Sequence, residues 1–211
     1  QTTHRSMQLC IFEDEAASDL KPLTLTRAAY ELRLAHRTLL DRLRTVFGGS
    51  SLTLHVRGHL AQVTSVRHSE AAVNQLSHSA EGTLFINGRY LALGDELIER
   101  IRTAAADGSG GSVFLKDDAV VAAWLPDTKR RPLPDEPLDR SFFDDLEEQP
   151  APDARLVKRL WEFIEWLPQT LTAEGNRVLE TNGAQTPVGQ LQDRGIILNA
   201  EEQIYCRESA E

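Results

Sequence analysis

The sequence is poor in the residues that build disulfide-linked, zinc-binding or membrane-spanning proteins. Its 211 residues include two cysteines, Cys10 and Cys206, which are too few for a disulfide framework or a four-cysteine zinc site. Unpaired thiols are typical of a reducing compartment, so we expect a cytoplasmic protein. No apolar run approaches the ~20 residues that cross a bilayer. The first six residues, QTTHRS, also lack the apolar core of a secretion signal.

Positive charge is also scarce. The chain has 32 Asp and Glu residues against 23 Lys and Arg residues, which gives a formal net charge of -9. Nucleic acids and anionic membranes are bound mainly through clustered Lys and Arg. We therefore expect no nucleic-acid or membrane partner, and any phosphate that this chain binds must be held by a few local arginines.

Short apolar runs that end in polar residues indicate buried strands. They are MQLCIFED (7–14), SLTLHV (51–56) and GTLFIN (82–87). Between the later strands, DELIERIRTAAA (95–106) has apolar residues at helical spacing. The pieces VFLK and VVAAWL flank Asp117-Asp118 and predict a hairpin. This alternation predicts a mixed α/β sheet with flanking helices.

Residues 126–137, PDTKRRPLPDEP, contain four prolines and predict an irregular surface segment, because proline removes a backbone donor and fixes φ. The segment carries the basic cluster Lys129-Arg130-Arg131. Such a cluster is either part of a solvated loop or part of a lid that faces phosphate. The sequence leaves both interpretations open.

The C-terminal part of the chain predicts a helix followed by strands. ARLVKRLWEFIEWL (154–167) places its apolar residues on one side and predicts an amphipathic helix that ends at Pro168. The last stretch, GIILNAEEQIYCRESAE (195–211), contains two short strand-like pieces and stops in mid-pattern. We expect residues 196–211 to be an unpaired edge or to pair with another molecule, and the protein to continue beyond them.

Two further patterns are weak. His55 and His59 have helical metal-ligand spacing, but they follow a strand and lack the glutamate of a metalloprotease motif. DGSGGS (107–112) precedes a strand and is not followed by a lysine, so it predicts a turn and not a phosphate-binding loop. We expect no metal site and no P-loop at these positions.

The most informative stretch is LKPLTLTRAAYELRLAHRTLL (20–40). It resembles the signature of the sugar-nucleotide pyrophosphorylases, in which a strand leads into a loop of the form G-x-G-T-R-L-x-P-L-T and then a helix that begins K-P-L-hydrophobic. Residues 20–24, LKPLT, match L-x-P-L-T, and residues 37–40, RTLL, match the start of the helix. LFINGRYLA (84–92) falls where the family has a strand that runs into N-G-D. The resemblance implies a Rossmann-like, GT-A-like nucleotidyltransferase sheet.

The departures from that signature affect the residues that carry its chemistry. Glu15 and Ala17 occupy the two glycine positions, where the absence of a Cβ lets backbone N–H groups approach phosphate. Asp19 occupies the arginine position and Ala29 the position of the catalytic lysine. Arg89 occupies the position of the magnesium-binding aspartate, and a guanidinium cannot ligate Mg²⁺. The usual nucleotidyltransferase site is therefore dismantled.

A narrower resemblance accommodates these departures. FEDE, the 20–34 stretch, LFINGRYLA, the tryptophan-containing segment 160–167 and GIILNAEEQIY are together similar to the bacterial GlmU-like sugar nucleotidyltransferases. In that group Glu15, Asp19 and Arg89 fall on variable positions, although Ala35 replaces a common glycine. The resemblance implies an α/β domain (7–150), a helical connector (151–195) and the first strands (196–211) of a left-handed β-helix of hexapeptide repeats, through which homo-oligomers could form. It also implies a UDP-N-acetylglucosamine pyrophosphorylase-like activity.

The candidate site lies at the carboxyl ends of the predicted strands. Asp14 follows the first strand, and Asn87 and Arg89 follow a later one, and in a doubly wound sheet such ends converge on one crevice. With the resemblance, the candidate catalytic residues are Lys21 and Arg27, and the candidate substrate-binding residues are Asp14, Thr26, Glu31, Arg33, Asn87, Gly88 and Arg89.

Four of the charged candidates have an expected role. Arg27 and Arg33 would bind phosphate, Glu31 would accept hydrogen bonds from sugar hydroxyls, and Asp14 would hold Mg²⁺. The alternative is that Arg27, Glu31 and Arg33 form exposed pairs on a helix surface. Propensity alone predicts one helix over 28–46, whereas the resemblance keeps 30–35 extended and starts the helix near Arg37.

Two functions follow. The first is an enzyme that transfers a nucleotidyl group from an NTP to a sugar 1-phosphate, with release of pyrophosphate. The second is a catalytically silent module that binds a nucleotide sugar for a downstream β-helix acyltransferase. The absence of a lysine at Ala29 favours the second, and Arg27, Arg33 and Asn87 are compatible with both. The family resemblance makes the enzyme the first expectation and the binding module its alternative.

Overall fold

A mixed sheet of seven strands organises the protein, as the short apolar runs predict. The structure is a computed structural model that describes residues 7–48, 51–76, 82–93, 96–107 and 110–182. The chain divides into two units, one that ends at Glu165 and one that begins at Trp166. The predicted β-helix strands at 196–211, and Cys206 with them, lie outside the described residues.

The strands are short and mostly parallel. They are β1 (Gln8–Phe12), β2 (Arg33–Leu34), β3 (Arg37–Thr38), β4 (Ser51–His55), β5 (Ala72–Val73), β6 (Gly82–Asn87), β7 (Ser112–Lys116), β8 (Ala119–Pro126) and β9 (Glu147–Pro150). The sheet order is β5-β4-β1-β6-β8-β7-β9, and β2 and β3 form a separate two-stranded ribbon. Strands β5, β4, β1 and β6 are parallel, while β8 runs antiparallel to β6 and β7. The predicted hairpin is confirmed as β7 and β8.

The helices of the first unit are α1 (Leu39–Phe47), α2 (Ala61–Arg67), α3 (Glu96–Asp107) and α4 (Glu162–Glu165), and the second unit contains α5 (Leu167–Asn182). Helix α1 begins with a capping box, in which the Thr38 hydroxyl accepts a hydrogen bond from the Asp41 N–H at 3.0 Å and the Asp41 carboxylate accepts one from the Thr38 N–H at 3.2 Å. The single helix over 28–46 is therefore wrong, and the start near Arg37 is confirmed within two residues.

The two faces of the sheet are covered differently. Leu9 and Ile11 of β1 belong to the core cluster that includes residues of α1 and α3. Cys10 and Phe12 point to the opposite face and belong to a second cluster. Burial raises the pKa of the Cys10 thiol far above its ordinary value, so this thiol is unreactive and contributes to the packing of the core.

An irregular segment, the strap (residues 127–146), covers the second face. Its Leu138, Phe143 and Leu146 are buried in the cluster with Phe12 and Phe85. The strap includes residues 127–137 of the proline-rich segment, none of which is buried, so the prediction of an irregular surface segment is confirmed except at Pro126, the last residue of β8; the core residues Leu138, Phe143 and Leu146 follow the segment. The strap contains two short 3-10 turns and no strand, so its apolar contacts and its side-chain and backbone hydrogen bonds to the sheet domain hold it in place.

The basic cluster of the strap has partners within the chain. Lys129 and Arg131 pair with Asp145, and Arg130 pairs with Asp127. The Arg131 guanidinium also lies over the ring of Phe142, 5.0 Å from its centroid. These contacts favour the loop interpretation over a phosphate-facing lid.

The predicted amphipathic helix over 154–167 is wrong for most of its length. Leu156 forms a β-bridge with Tyr90, and the Val157 N–H donates to the Arg89 carbonyl at 2.9 Å. Leu156 and Val157 are buried by this pairing with the loop after β6, which outweighs the helical spacing, whereas Trp161 and Ile164 are exposed. Pro168 does not end a helix but lies in the first turn of α5, where its missing N–H has no partner to lose.

His55 ties the strap to the end of β4. Its ring is buried, and Nε2 lies 2.9 Å from the Pro134 carbonyl oxygen, so the neutral ring carries its proton on Nε2. Burial lowers the pKa of His55, although the hydrogen bond to Pro134 and the facing carboxylates of Glu13 and Asp135 oppose that change. The folded protein therefore favours the neutral ring.

We expect stability to fall in acid because of His55. A lowered folded-state pKa means that the unfolded chain binds the proton more readily, so the contribution is present above an ordinary pKa of about 6.5 and is lost as the pH falls through the folded-state value. Urea midpoints at pH 8 and pH 5.5 should differ less in His55→Gln than in the unmodified protein. His59→Gln, an exposed histidine nearby, is the control. An unchanged pH difference in His55→Gln would contradict this assignment.

Candidate active site

The predicted convergence of Asp14, Asn87 and Arg89 is present in the structure. Strands β1 and β6 are parallel neighbours with Phe12 opposite Asn87, so the residues that follow them meet at one edge of the sheet. The Asn87 side-chain amide donates to Asp14 Oδ2 at 2.8 Å and to the Val120 carbonyl at 2.8 Å. The Asn87 side-chain oxygen accepts the Arg89 N–H at 3.0 Å. Asn87 thereby joins the two strand ends.

Arg89 and Asp14 form a buried ion pair. Arg89 Nε donates to Asp14 Oδ1 at 2.8 Å, and Arg89 Nη2 donates to Asp14 Oδ2. The third nitrogen, Nη1, donates to the Val157 carbonyl at 2.6 Å. The Arg89 side chain is 1% exposed and that of Asp14 is 14% exposed. This bidentate geometry is the strong form of an arginine–carboxylate contact, and it leaves Arg89 no free face toward a ligand.

This arrangement does not fit a magnesium site. Both Asp14 oxygens accept hydrogen bonds from Arg89, and a cation there would lie against a guanidinium of the same charge. Among the described residues, no cluster of three or more His, Cys, Asp or Glu side chains is arranged to hold a metal. The expected role of Asp14 as a metal ligand would require that the ion pair with Arg89 open first.

Gly88 lets the chain turn between Asn87 and Arg89 against a buried ring. Its N–H donates to the Phe12 carbonyl at 2.8 Å. A Cβ at this position would lie 2.8 Å from Cδ1 and 3.0 Å from Cβ of Tyr30. Only glycine fits this approach, so its role in the structure is packing beside the ion pair.

The loop after β1 is built as a short helix and not as a phosphate cradle. Residues Glu15–Leu20 form a 3-10 helix in which Ala17 and Leu20 are buried. The Thr24 hydroxyl donates to the Ala17 carbonyl at 3.0 Å and fixes the return of the chain. The two positions that the resemblance assigns to glycine therefore belong to a packed turn.

Two positively charged side chains that follow this turn are exposed and could contact a ligand. Lys21 and Arg27 are exposed, and neither side chain makes a hydrogen bond or an ion pair with any part of the chain that the structure describes. Thr26 lies beside Arg27 and is also exposed, with its carbonyl accepting from Arg67 Nη1 at 3.3 Å. These residues form an exposed, positively charged loop (residues 21–27) that includes the exposed Leu23 and Leu25.

Glu31 and Arg33 have partners of their own. Glu31 accepts the Ala28 N–H at 2.8 Å and pairs with Arg67 and His68. Arg33 Nη1 donates to the His36 carbonyl at 2.7 Å and closes the turn between β2 and β3. Neither residue pairs with Arg27, and residues 28–38 are not one helix, so the alternative of exposed helix-surface pairs does not describe this segment.

Sequence reasoning missed two residues of this region, Glu13 and Arg57. Glu13 directly precedes Asp14, is fully buried, and accepts the Ala29 N–H at 2.7 Å. Arg57 Nε donates to Glu13 Oε2 at 3.0 Å. The available signal was an acidic residue attached directly to a buried strand, which requires a cationic partner, but the sequence does not identify that partner.

The fold of this chain is similar to that of solved structures. The Mycobacterium sp. strain JC1 homologue of Mycobacterium tuberculosis Rv0371c has a similar structure at 12% identity and a TM-score of 0.50, over 80% of this chain and 98% of that one. A nucleotidyl transferase from Methanothermobacter is similar at 14% identity and a TM-score of 0.50, over 79% of this chain and 98% of that one. At such identities the likeness concerns the fold alone.

Comparison of the sequence gives a match to a family model but none to a curated protein. No curated protein sequence matches the chain significantly. No helix in the described ranges is long and apolar enough to span a membrane. The family model described as "Sugar nucleotidyl transferase" matches residues 9–182, a span that contains both LKPLT (20–24) and LFINGRYLA (84–92). On this match the chain belongs to the sugar nucleotidyl transferase family.

Proposed function

We propose that this chain binds a nucleotide sugar beside the carboxyl ends of β1 and β6 and transfers nucleotidyl groups slowly or not at all. The observation that carries the proposal is the buried Arg89–Asp14 pair. Where the resemblance puts a magnesium-binding aspartate, this chain has a guanidinium that is already paired. A guanidinium neutralises phosphate charge but cannot orient phosphate oxygens by direct metal ligation.

The proposed ligand contacts lie on the exposed loop. Lys21 and Arg27 would bind the phosphates, because both are cations without partners in the described chain. Thr26 would donate a hydrogen bond to the ligand. Glu31 and Arg33, which have internal partners, would act by shaping the loop. The finer proposal of a downstream β-helix acyltransferase domain, and of oligomers formed through it, rests on the GlmU-like motifs in the sequence.

A sugar-1-phosphate nucleotidyltransferase is the second candidate, and family membership favours it. In that reaction a phosphate oxygen of the sugar 1-phosphate attacks the α-phosphorus of an NTP. The bond to the β-phosphate breaks, and pyrophosphate leaves with the electron pair. Such reactions depend on alignment and on neutralisation of charge, which Lys21 and Arg27 could supply in part. Mg²⁺ would supply the rest if Asp14 were released from Arg89.

Titration calorimetry and a pyrophosphate-release assay separate the two candidates. We expect UDP-N-acetylglucosamine or a related NDP-sugar to bind with the same affinity in Mg²⁺ and in EDTA. A ligand at 100 times its dissociation constant should stabilise the fold by about 2.7 kcal/mol. We expect no pyrophosphate above background from NTP and sugar 1-phosphate pairs. Brisk, Mg²⁺-dependent release would overturn the binding-module proposal in favour of the enzyme.

A further inference from the structure

We propose that Glu13 and Arg57 are positioning residues that hold the backbone of the exposed loop, and with it Arg27, in the conformation that binds the phosphates. The inference rests on the proposed function for its ligand. Its structural basis is a set of contacts in which one buried carboxylate and one guanidinium connect the end of β1 to residues 24–29.

Glu13 is the fixed end of this connection. Its side chain is completely buried, and the carboxylate accepts three kinds of donor: the Ala29 N–H at 2.7 Å, the Arg57 N–H at 3.3 Å and the Arg57 guanidinium. Its backbone is held as well, because the Glu13 N–H donates to the His55 carbonyl at 3.2 Å and its carbonyl accepts the Leu138 N–H at 3.0 Å. Glu13 therefore moves only with the sheet and the strap.

Arg57 carries the connection to the loop. Nε and Nη2 donate to the Glu13 carboxylate at 3.0 and 3.2 Å. The same Nη2 reaches the Thr24 carbonyl at 2.8 Å and the Arg27 carbonyl at 3.4 Å. The loop is thus held at Thr24 and Arg27 by Arg57 and at Ala29 by Glu13. The backbone of Arg27 is therefore fixed on both sides, between Thr24 and Ala29, while its side chain is exposed.

Stability alone does not account for this pair. A buried ion pair is on average no more stabilising than apolar residues of the same volume. The benefit of this pair is its geometry, since a guanidinium has several donors in a fixed plane and can bind a carboxylate and two carbonyls together. A lysine would keep the charge opposite Glu13 but has a single nitrogen and cannot bind all three groups in the same way.

Arg57→Lys is therefore the test, measured on the full chain with UDP-N-acetylglucosamine as the probe. We expect calorimetric affinity to fall about tenfold, the size of one charged hydrogen bond. We expect trypsin to cut the folded protein after Arg27 several times faster, and the melting temperature to change little. In an Arg27→Ala background, Arg57→Lys should cause less than a twofold further loss of affinity, because its effect acts through Arg27.

The matched control is Arg44→Lys, which alters an exposed ion pair with Glu70 elsewhere on the domain. It should leave both affinity and cleavage after Arg27 unchanged. Glu13→Gln is the second variant, which keeps the volume and an acceptor for Ala29 but removes the charge; it should reproduce the faster cleavage. An equal loss of affinity for Arg57→Lys with and without Arg27 would overturn the proposal, as would unchanged cleavage in both variants.

These experiments test the proposed function and the positioning role of Glu13 and Arg57 separately. If the unmodified chain binds no NDP-sugar, the proposed function is wrong, and the cleavage rates still decide whether Glu13 and Arg57 hold the loop. If the chain binds NDP-sugar and neither variant changes affinity or cleavage, the positioning role is wrong and the proposed function stands.

Discussion

Replacing Arg89 by methionine is expected to lower the free energy of unfolding by about 3–5 kcal/mol, the cost of removing one partner of a buried ion pair. Methionine keeps an unbranched apolar side chain, so the change removes the guanidinium with its charge and its hydrogen-bond donors. Asp14, which is 14% exposed beside Arg89, would lose both guanidinium contacts. Val157 would lose the donor to its carbonyl at the point where residues 154–157 join the sheet domain. Urea unfolding at pH 7 measures the change.

Two further variants make the assignment specific. Arg102→Met removes an exposed pair with Glu99, in which the side chains are 48% and 71% exposed, and should cost less than about 1 kcal/mol. Asp14→Asn in the Arg89→Met background removes the unpaired carboxylate and should recover part of the loss. A loss below about 1 kcal/mol for Arg89→Met would contradict the interpretation of this pair as the structural centre of the site.

Replacing Arg27 by alanine is expected to weaken binding of UDP-N-acetylglucosamine by about 1.5–3 kcal/mol, the range for hydrogen bonds to charged groups. The free energy of unfolding should stay within about 0.5 kcal/mol of the unmodified value, because the side chain is exposed and has no partner among the described residues. Calorimetric titration and urea unfolding measure the two quantities on the same protein.

The conservative change separates charge from geometry. Arg27→Lys should retain part of the affinity, because it keeps the charge but loses the bidentate fork. Arg44→Ala, an exposed arginine of α1, should leave affinity unchanged. If Arg27→Ala lowers the melting temperature and leaves affinity intact, Arg27 is a structural residue and the phosphate site lies elsewhere.

The local sequence pattern was sufficient to predict the structure where a residue's environment follows from its neighbours in the chain. Apolar runs such as 82–87 predicted buried strands because side chains on a central strand face the core on both sides of the sheet. Polar residues directly after those runs predicted that Asp14, Asn87 and Arg89 would meet, since parallel strands end at one edge.

Local pattern failed where the partner is distant in sequence. The spacing over 154–167 is helical, yet Leu156 pairs with Tyr90, because a buried edge with open backbone groups stabilises an extended chain more than a partly exposed helix would. Arg27, Glu31 and Arg33 were grouped by spacing, but Arg27 alone of the three has no side-chain partner within the described ranges, since Glu31 and Arg33 bind groups brought to them by α2 and by the ribbon turn.

The sequence by itself determined the class of fold, the strands and the edge at which the polar residues gather, because these depend on periodicity and on where polar residues interrupt it. Only the tertiary structure decided which charged side chains are paired inside the fold and which are exposed to a ligand. It pairs Asp14 with Arg89, 75 residues away, and Glu13 with Arg57, 44 residues away. Ion pairs form by proximity in space, and the folding of β1, β4 and β6 into one sheet creates that proximity, which spacing along the chain does not record.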